Sequence, residues 1–227
     1  MVTIFRNIFD KAPNYISVDS ALERIRIGKS KDAVEEIRKQ IDKERANRLK
    51  CNLPSVCFSG KFEERIDTKI IQHSGFLVLD FDNVEDLEKR KSEITAHSFV
   101  YACWISPSGH GLKALVKISD GKKHREHFTS LREIFTDADK SGINESRVCY
   151  ESYDTEIYIN PIATKFNKTT KTETVVISER LQSEVELFEK ILKWLSNKGD
   201  AFVTGERNSF IFKLASACCR FGINESD

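Results

Sequence analysis

The chain has 227 residues, is 40% hydrophobic, and carries 36 Lys and Arg against 35 Asp and Glu, a formal net charge of +1. That length supports one ordinary domain with an attachment, or two small ones, each able to bury a core. The near-zero balance excludes a global field that attracts polyanions, and no apolar run approaches the roughly 20 residues of a membrane helix, so nucleic acid would have to use local patches and no membrane partner is expected.

In chain order, Val2–Phe5 reads as a short strand, and Ser17–Arg26 and Lys31–Arg45 read as amphipathic helices, the second with Ala33, Ile37 and Ile41 at helical spacing. Within and just beyond the second helix, Lys39, Lys43, Arg45, Arg48 and Lys50 form one candidate nucleic-acid patch; Gly121–Arg125 forms another. Leu53–Gly60 is a β-rich run ending in a turn, followed by a strand at Phe76–Asp82 and a charged helix over Val84–Ile94. Ser98–Ile105 and Leu112–Ile118 alternate as strands around a tight loop at Ser106–Gly111, which predicts a hairpin. A helix at His124–Phe135, an acidic loop at Asp137–Ser146 and a strand at Arg147–Tyr150 complete the pattern, an α+β fold whose mixed or antiparallel sheet is covered on one side by helices.

Residues 1–165 are expected to form this domain and 166–179 a linker. A small helical segment over 180–227 would carry one stripe of Leu181, Val185, Phe188, Leu192 and Leu195 before Gly199, and a second of Phe210, Leu214, Ala217 and Phe221 before Gly222. Asn224–Asp227 has the composition of a helix N-terminus, hence the expectation that the natural chain continues. Met1–Asp10 lacks a secretory pattern. The six cysteines include no Cys-x-x-Cys pair and read as buried thiols, so a cytoplasmic protein is expected.

Three features carry chemistry. Asp80 and Asp82, at i and i+2 of a strand, share a face and could hold divalent cations, although Asp-x-Asp at a strand end also serves as turn chemistry. In Ser106–Lys113, glycines flank His110, so that backbone, His110 and Lys113 can approach a phosphate. A third carboxylate from the acidic loop would complete a two-metal set. Asp139 is the choice, Asp137 and Asp154 remain alternatives, and Arg147 could meet a triphosphate bidentately.

The ordered set Leu79-Asp80-Phe81-Asp82, Ser108-Gly109-His110, and Ala138-Asp139 with Arg147 resembles the three-motif signature of the archaeo-eukaryotic primase superfamily, which includes primase-polymerases. More narrowly, Leu53–Phe62, Ser106–Lys113 and Ser146–Asp154 resemble the VirE N-terminal-like family of bacterial and mobile-element proteins, in which a primase-like domain often precedes a helicase-type ATPase. The resemblance covers roughly residues 1–165, and Gly205–Asn208 with its following helix is similar to the segment after such domains. It implies a primase-like fold and Mg²⁺ or Mn²⁺ held by Asp80, Asp82 and Asp139. Ser108, Gly109, His110, Lys113 and Arg147 would face a nucleoside triphosphate. The implied partners are a single-stranded DNA template and a helicase-type ATPase in the same full-length chain. The implied activity is metal-dependent nucleotidyl transfer in DNA replication. Its rivals are a non-catalytic single-strand-binding module and another metal-dependent phosphoryl or glycosyl transfer enzyme, since Asp-x-Asp after a strand also suits nucleotide-sugar sites; the Ser-Gly-His hairpin and the later Arg argue against the latter.

Overall fold

A computed structural model of the chain describes residues 1–170, 184–197, 202 and 207–221. It divides into two compact units, Met1–Thr172 and Glu173–Asp227. In the first, strands β1 (Val2–Phe5) and β2 (Asn14–Ile16) precede helices α1 (Val18–Arg26), α2 (Lys31–Lys39) and α3 (Lys43–Lys50). Then come β3 (Ser55–Cys57), β4 (Gly60–Phe62), β5 (Ile70–His73), β6 (Phe76–Phe81), α4 (Leu87–Thr95), β7 (Val100–Ile105), β8 (Leu112–Lys117), α5 (His124–Ile134), β9 (Cys149–Tyr150) and β10 (Tyr158–Ile159).

The strands form a sheet in the order β2-β1-β3-β9, a second in the order β10-β7-β8-β6, and the separate pair β4-β5, all antiparallel. The expected hairpin is β7–β8. Its first strand, Val-Tyr-Ala-Cys-Trp-Ile, is buried along nearly its whole length because both of its faces are covered. A bulge between Val100 and Ala102 puts consecutive residues Tyr101 and Ala102 into the same packed cluster as Trp104.

Alternation in β6 decides what lies on each side. Leu77, Leu79 and Phe81 pack with Ile94 of α4 and with Phe128 and Leu131 of α5. Phe76 and Val78 face the other way, against a core of Tyr101, Trp104, Leu115, Val56, Phe58 and α1 residues Leu22 and Ile25. The sheet is therefore covered by helices on one face and by a second sheet with α1 on the other, where a single sheet covered on one side was expected. Asp80 continues the Phe76–Val78 side, so its carboxylate projects toward the space between the two sheets.

Several boundaries differ from expectation. Ser17 caps α1 itself, accepting from the Ser20 N–H at 2.9 Å. The helix expected over Lys31–Arg45 breaks at Gln40–Asp42, where Asp42 caps α3, and it buries Val34 and Ile37 while Ile41 is fully exposed. The charged helix starts at Leu87, three residues late, because Asp86 caps it. Residues 166–170, read as the start of a linker, are packed onto the body. Phe166 is in the core and bridges Ile118, and Thr170 bonds Ser130 and Glu133.

In the second unit, α6 (Glu184–Asn197) and α7 (Arg207–Phe221) pack through Leu187, Ile191 and Leu195 against Phe210, Leu214 and Ala217. The first stripe is thus Leu187-Ile191-Leu195, with Phe188 exposed. Leu181, Gly199, Gly205, Glu206, Gly222, residues 171–179, the terminal Asn224–Asp227, and the side chains of Val185 and Phe221 lie outside the described residues.

Gly111 sits where β8 meets the end of β6, and a Cβ there would lie 2.4 Å from the Phe81 carbonyl oxygen. Gly111→Ala should therefore destabilise the first unit by roughly 2–3 kcal/mol, measured as a lower urea midpoint at pH 7. An unchanged midpoint would contradict this close approach.

Candidate functional site

The β6–β8 register places Asp80 directly opposite Lys113, and the ammonium donates to Asp80 Oδ2 at 2.5 Å. The pair is largely out of water, with side chains 18% and 9% exposed. The other oxygen, Asp80 Oδ1, is buried and has no hydrogen-bond partner. A buried carboxylate oxygen without a donor is destabilising unless something else satisfies it. Burial pulls the Lys113 ammonium down, but Cys149, Asp80 and Asp82 outweigh it and its pKa is raised. The Cys149 thiol is itself pushed up to about 11 by burial, so at neutral pH it is uncharged and the carboxylates hold the ammonium.

Asp82 follows the last residue of the strand and is exposed, and Asn83 turns the chain with a φ of 53°. Asp80 and Asp82 line one cavity of about 310 Å³ together with Ser108, Lys113, Arg147 and Lys50. An adjoining cavity of about 480 Å³ shares Asn47, Lys50, Asp82 and Ser108 and adds His110, Arg38, Gln40 and Lys43. The two form one cleft, bounded by α2–α3 on one side and by the strand ends and hairpin loop on the other.

The loop Ser106–Gly111 is held by Ser106 N–H to Gly111 O at 2.8 Å and Gly109 N–H to Ser106 O at 3.0 Å, with the Ser106 and Ser108 hydroxyls 2.9 Å apart. Gly109 has a φ of +79°, which a residue with a Cβ adopts only under strain. The guanidinium of Arg38 clamps the loop, donating to Ser106 O at 3.2 Å and Tyr153 O at 2.9 Å. His110 is exposed, and its carbonyl accepts from Val84 N–H at 2.9 Å, so the loop is tied to the turn that follows Asp82.

The three candidate third carboxylates separate cleanly. Asp137 pairs with Arg90 at 2.6 Å on the outer surface. Asp154 is buried in its own network, pairing with Lys91 at 3.2 Å and accepting from Ile105 N–H at 2.9 Å. Asp139 donates its N–H to the Asp80 carbonyl at 2.8 Å, so its backbone runs along the edge of β6. Its Oδ1 accepts from the N–H and hydroxyl of Ser141 and caps the 3₁₀ turn Lys140–Ile143. Those Ser141 bonds hold the Asp139 carboxyl below its usual range, with Arg147 and Lys113 adding to the effect. Among the described residues, no three His, Cys, Asp or Glu side chains stand grouped as a metal cage.

Lys50 enters the site from outside the motifs. In the sequence it belonged only to a basic patch; in the fold it lines both cavities. Burial lowers its pKa, opposed by the charges of Asp82 and Asp80. No local signal marked it, because its place depends on where α3 packs. In the other patch His124 is buried and Arg125 pairs with Asp67 at 2.7 Å, while Lys122 and Lys123 stay exposed.

A histidine pair supports the turn that holds Asp139. Gly75 N–H donates to His73 Nδ1 at 3.0 Å, so the His73 proton sits on Nε2 and points at His124 Nδ1, 3.1 Å away. His124 Nε2 then donates to the Gly142 carbonyl at 3.4 Å. Both rings are neutral in this chain, and burial pushes their pKa values down to about 4 for His73 and about 3 for His124.

A buried ion pair with a free carboxylate oxygen, lysines, an arginine and a glycine-flanked histidine in one open cleft defines a polar site suited to a charged, phosphate-bearing ligand. Residues 48–159, just under half of the chain, match the family described as BT4734-like, N-terminal domain. The matched span contains Lys50, Asp80, Asp82, the hairpin loop, Lys113, Asp139 and Arg147. No curated protein and no solved structure matches the chain. Among the described residues no helix is long and apolar enough to cross a membrane.

Removing the ammonium in Lys113→Met leaves Asp80 charged, buried and unpaired, which should destabilise the fold by roughly 3 kcal/mol at pH 7. The deficit is read as a lower urea midpoint than wild type at pH 7, and an unchanged midpoint would contradict the role of the pair. The histidine pair predicts its own dependence. Because the folded pKa values lie below the unfolded value of about 6.5, the stability is complete above that pH and is lost as pH falls toward 4, by the order of a few kcal/mol. His73→Gln, leaving one ring to titrate, should flatten this loss by about half.

Proposed function

We propose that the cleft is a metal-dependent nucleotidyl-transfer site of the primase-polymerase kind, acting on a nucleoside triphosphate and a single-stranded DNA template. The observation that carries this reading is the buried, unpartnered Asp80 Oδ1, which shares a cavity with Asp82 and is ringed by Lys50, Lys113 and Arg147. The order of the motifs, their resemblance to the archaeo-eukaryotic primase superfamily and to VirE N-terminal-like proteins, and the antiparallel α+β fold support it.

Asp80 Oδ1 and Asp82 are the oxygens that suit Mg²⁺ or Mn²⁺; Asp139, whose N–H bonds the Asp80 carbonyl and whose Oδ1 is held by Ser141, is the third carboxylate this reading proposes. A bound cation would supply activation of a hydroxyl and charge neutralisation on a triphosphate. The chain's own contribution is positioning. Lys113, Lys50 and Arg147 offset phosphate charge, Ser108 and Gly109 offer a loop that a phosphate can approach, and His110 donates to its oxygens. The remaining proposals, a helicase-type ATPase as partner and replication of a bacterial or mobile element, rest on the resemblance alone, and a cytoplasmic setting rests on the cysteine usage.

A second reading has a specific observation in its favour. Asp80 is already neutralised by Lys113 and Asp139 is engaged as a cap, which suits a single-strand-binding module that needs no metal. Primer extension with Mn²⁺ or Mg²⁺ separates the two. Asp80→Asn and Asp82→Asn, which keep the side-chain shape, should each lower nucleotide incorporation at least roughly a hundred-fold and abolish any Mn²⁺-induced rise in melting temperature. Undiminished incorporation by both variants would falsify the metal role.

A further inference from the structure

We propose that the outer half of the cleft, between α3 and the hairpin loop, is the track for a single-stranded polynucleotide whose end reaches Asp82. This deepens the nucleotidyl-transfer reading and rests on it for placing the strand's end at the carboxylates.

The inference starts from local charge. From Arg38 to Lys50 there are six basic residues against two acidic ones, in a chain whose net charge is only +1. Lys43, Ala46, Asn47 and Lys50 all line the 480 Å³ groove, the i, i+3, i+4, i+7 spacing of a single helix face. The basic face of α3 is therefore turned into the groove, while Arg48 is exposed and reaches Glu44 at 3.9 Å, an ion pair within the helix. That pair is the one ion pair made inside α3 among the described residues; Lys50 Nζ donates to the neutral Asn47 Oδ1 at 3.4 Å, which leaves its charge, like that of Lys43, to be met by an external anion.

The facing wall carries Asp82, Asn83, Ser108 and His110. Gln40, whose Nε2 donates to the Glu36 carbonyl at 3.0 Å, presents its amide oxygen, and Asn47, whose Oδ1 accepts from Lys50, presents its NH₂ group; Ile41, fully exposed at the break between α2 and α3, offers an apolar surface against which a base can lie. None of the α3 residues is fully buried, and the apolar anchoring of the helix is limited to Ala46 and Leu49 against Val34, Ile37 and Leu53. An open groove with cations along one side and amides between them fits a chain of phosphodiesters better than a compact ligand. Its continuity with the inner cavity through Lys50, Asp82 and Ser108 leads such a chain to the carboxylates. Residues 38–47 of this wall lie outside the span that matches the family, so the groove combines a family-matched face with one supplied by the N-terminal helices.

The test is fluorescence anisotropy of a labelled single-stranded oligothymidylate with the whole chain, without metal or nucleotide, over a series of salt concentrations. Wild-type affinity should fall steeply with salt. Lys43→Ala should weaken binding several-fold and lower the log–log salt slope by about one, while Arg48→Ala leaves the slope unchanged. An RNA oligonucleotide in a parallel arm tells which sugar is preferred, and binding of either supports the track. Equal effects of the two variants, stronger binding of duplex than of single strand, or displacement by polyglutamate as readily as by unlabelled oligonucleotide would overturn it. Lys43-dependent binding in a wild-type chain that incorporates no nucleotide would keep the track and sink the nucleotidyl-transfer reading. Incorporation that needs Asp80 but binding indifferent to Lys43 would do the reverse.

Discussion

A carboxylate and an ammonium held 2.5 Å apart between two β-sheets set the conditions for the whole site. Withdrawing two charges from water is expensive, and their mutual attraction offsets that expense only when geometry is good and the remaining lone pairs are met. Here the geometry comes from strand register, which no loop movement can alter: Asp80 and Lys113 are cross-strand partners. One oxygen is satisfied and the other is not. The fold thus holds a half-met carboxylate in a fixed place, and the rest of the cleft is arranged around it.

That arrangement needs two sheets. Had the β6–β8 sheet been covered by helices alone, Asp80 would have faced either core or open solvent. The second sheet, together with α1, covers the middle of the Phe76–Val78 side and leaves its end open, and α2–α3 then wall the opening. Arg38 ties this wall to the hairpin loop through the Ser106 carbonyl and to the segment after β9 through the Tyr153 carbonyl. Helices, hairpin and carboxylates are in this way one mechanical piece.

How much of this was legible in the sequence varies with how local the cause is. The buried strands β6, β7 and β8 announce themselves, since their apolar runs end at clear turns, and the motif residues on them were readable for the same reason. β2, β5 and β10 were missed: they are two to four residues long and contain exposed or half-buried positions, so their strand character comes from their partners. The break between α2 and α3 was missed because Ala33, Ile37 and Ile41 have helical spacing, yet the buried pair is Val34 and Ile37, and Asp42 prefers to cap. In the site, Asp80, Asp82, Ser108, His110, Lys113 and Arg147 were named from the sequence, and the cleft gathers them. Lys50 and Asn47 were not placed there, since only tertiary packing brings α3 over the strand ends.

The bond from the Asp139 N–H to the Asp80 carbonyl bears on how substitutions at position 139 are interpreted. Through that bond the segment shields the unpaired edge of β6, and the side chain of the same residue organises the turn that keeps the segment in place. An alanine at 139 would therefore release an edge strand as well as remove a carboxylate, and a loss of function alone would not distinguish the missing carboxylate from a shifted Asp80. Asparagine retains the capping oxygen and removes only the charge. The Ala–Asn contrast at this one position separates scaffold from chemistry.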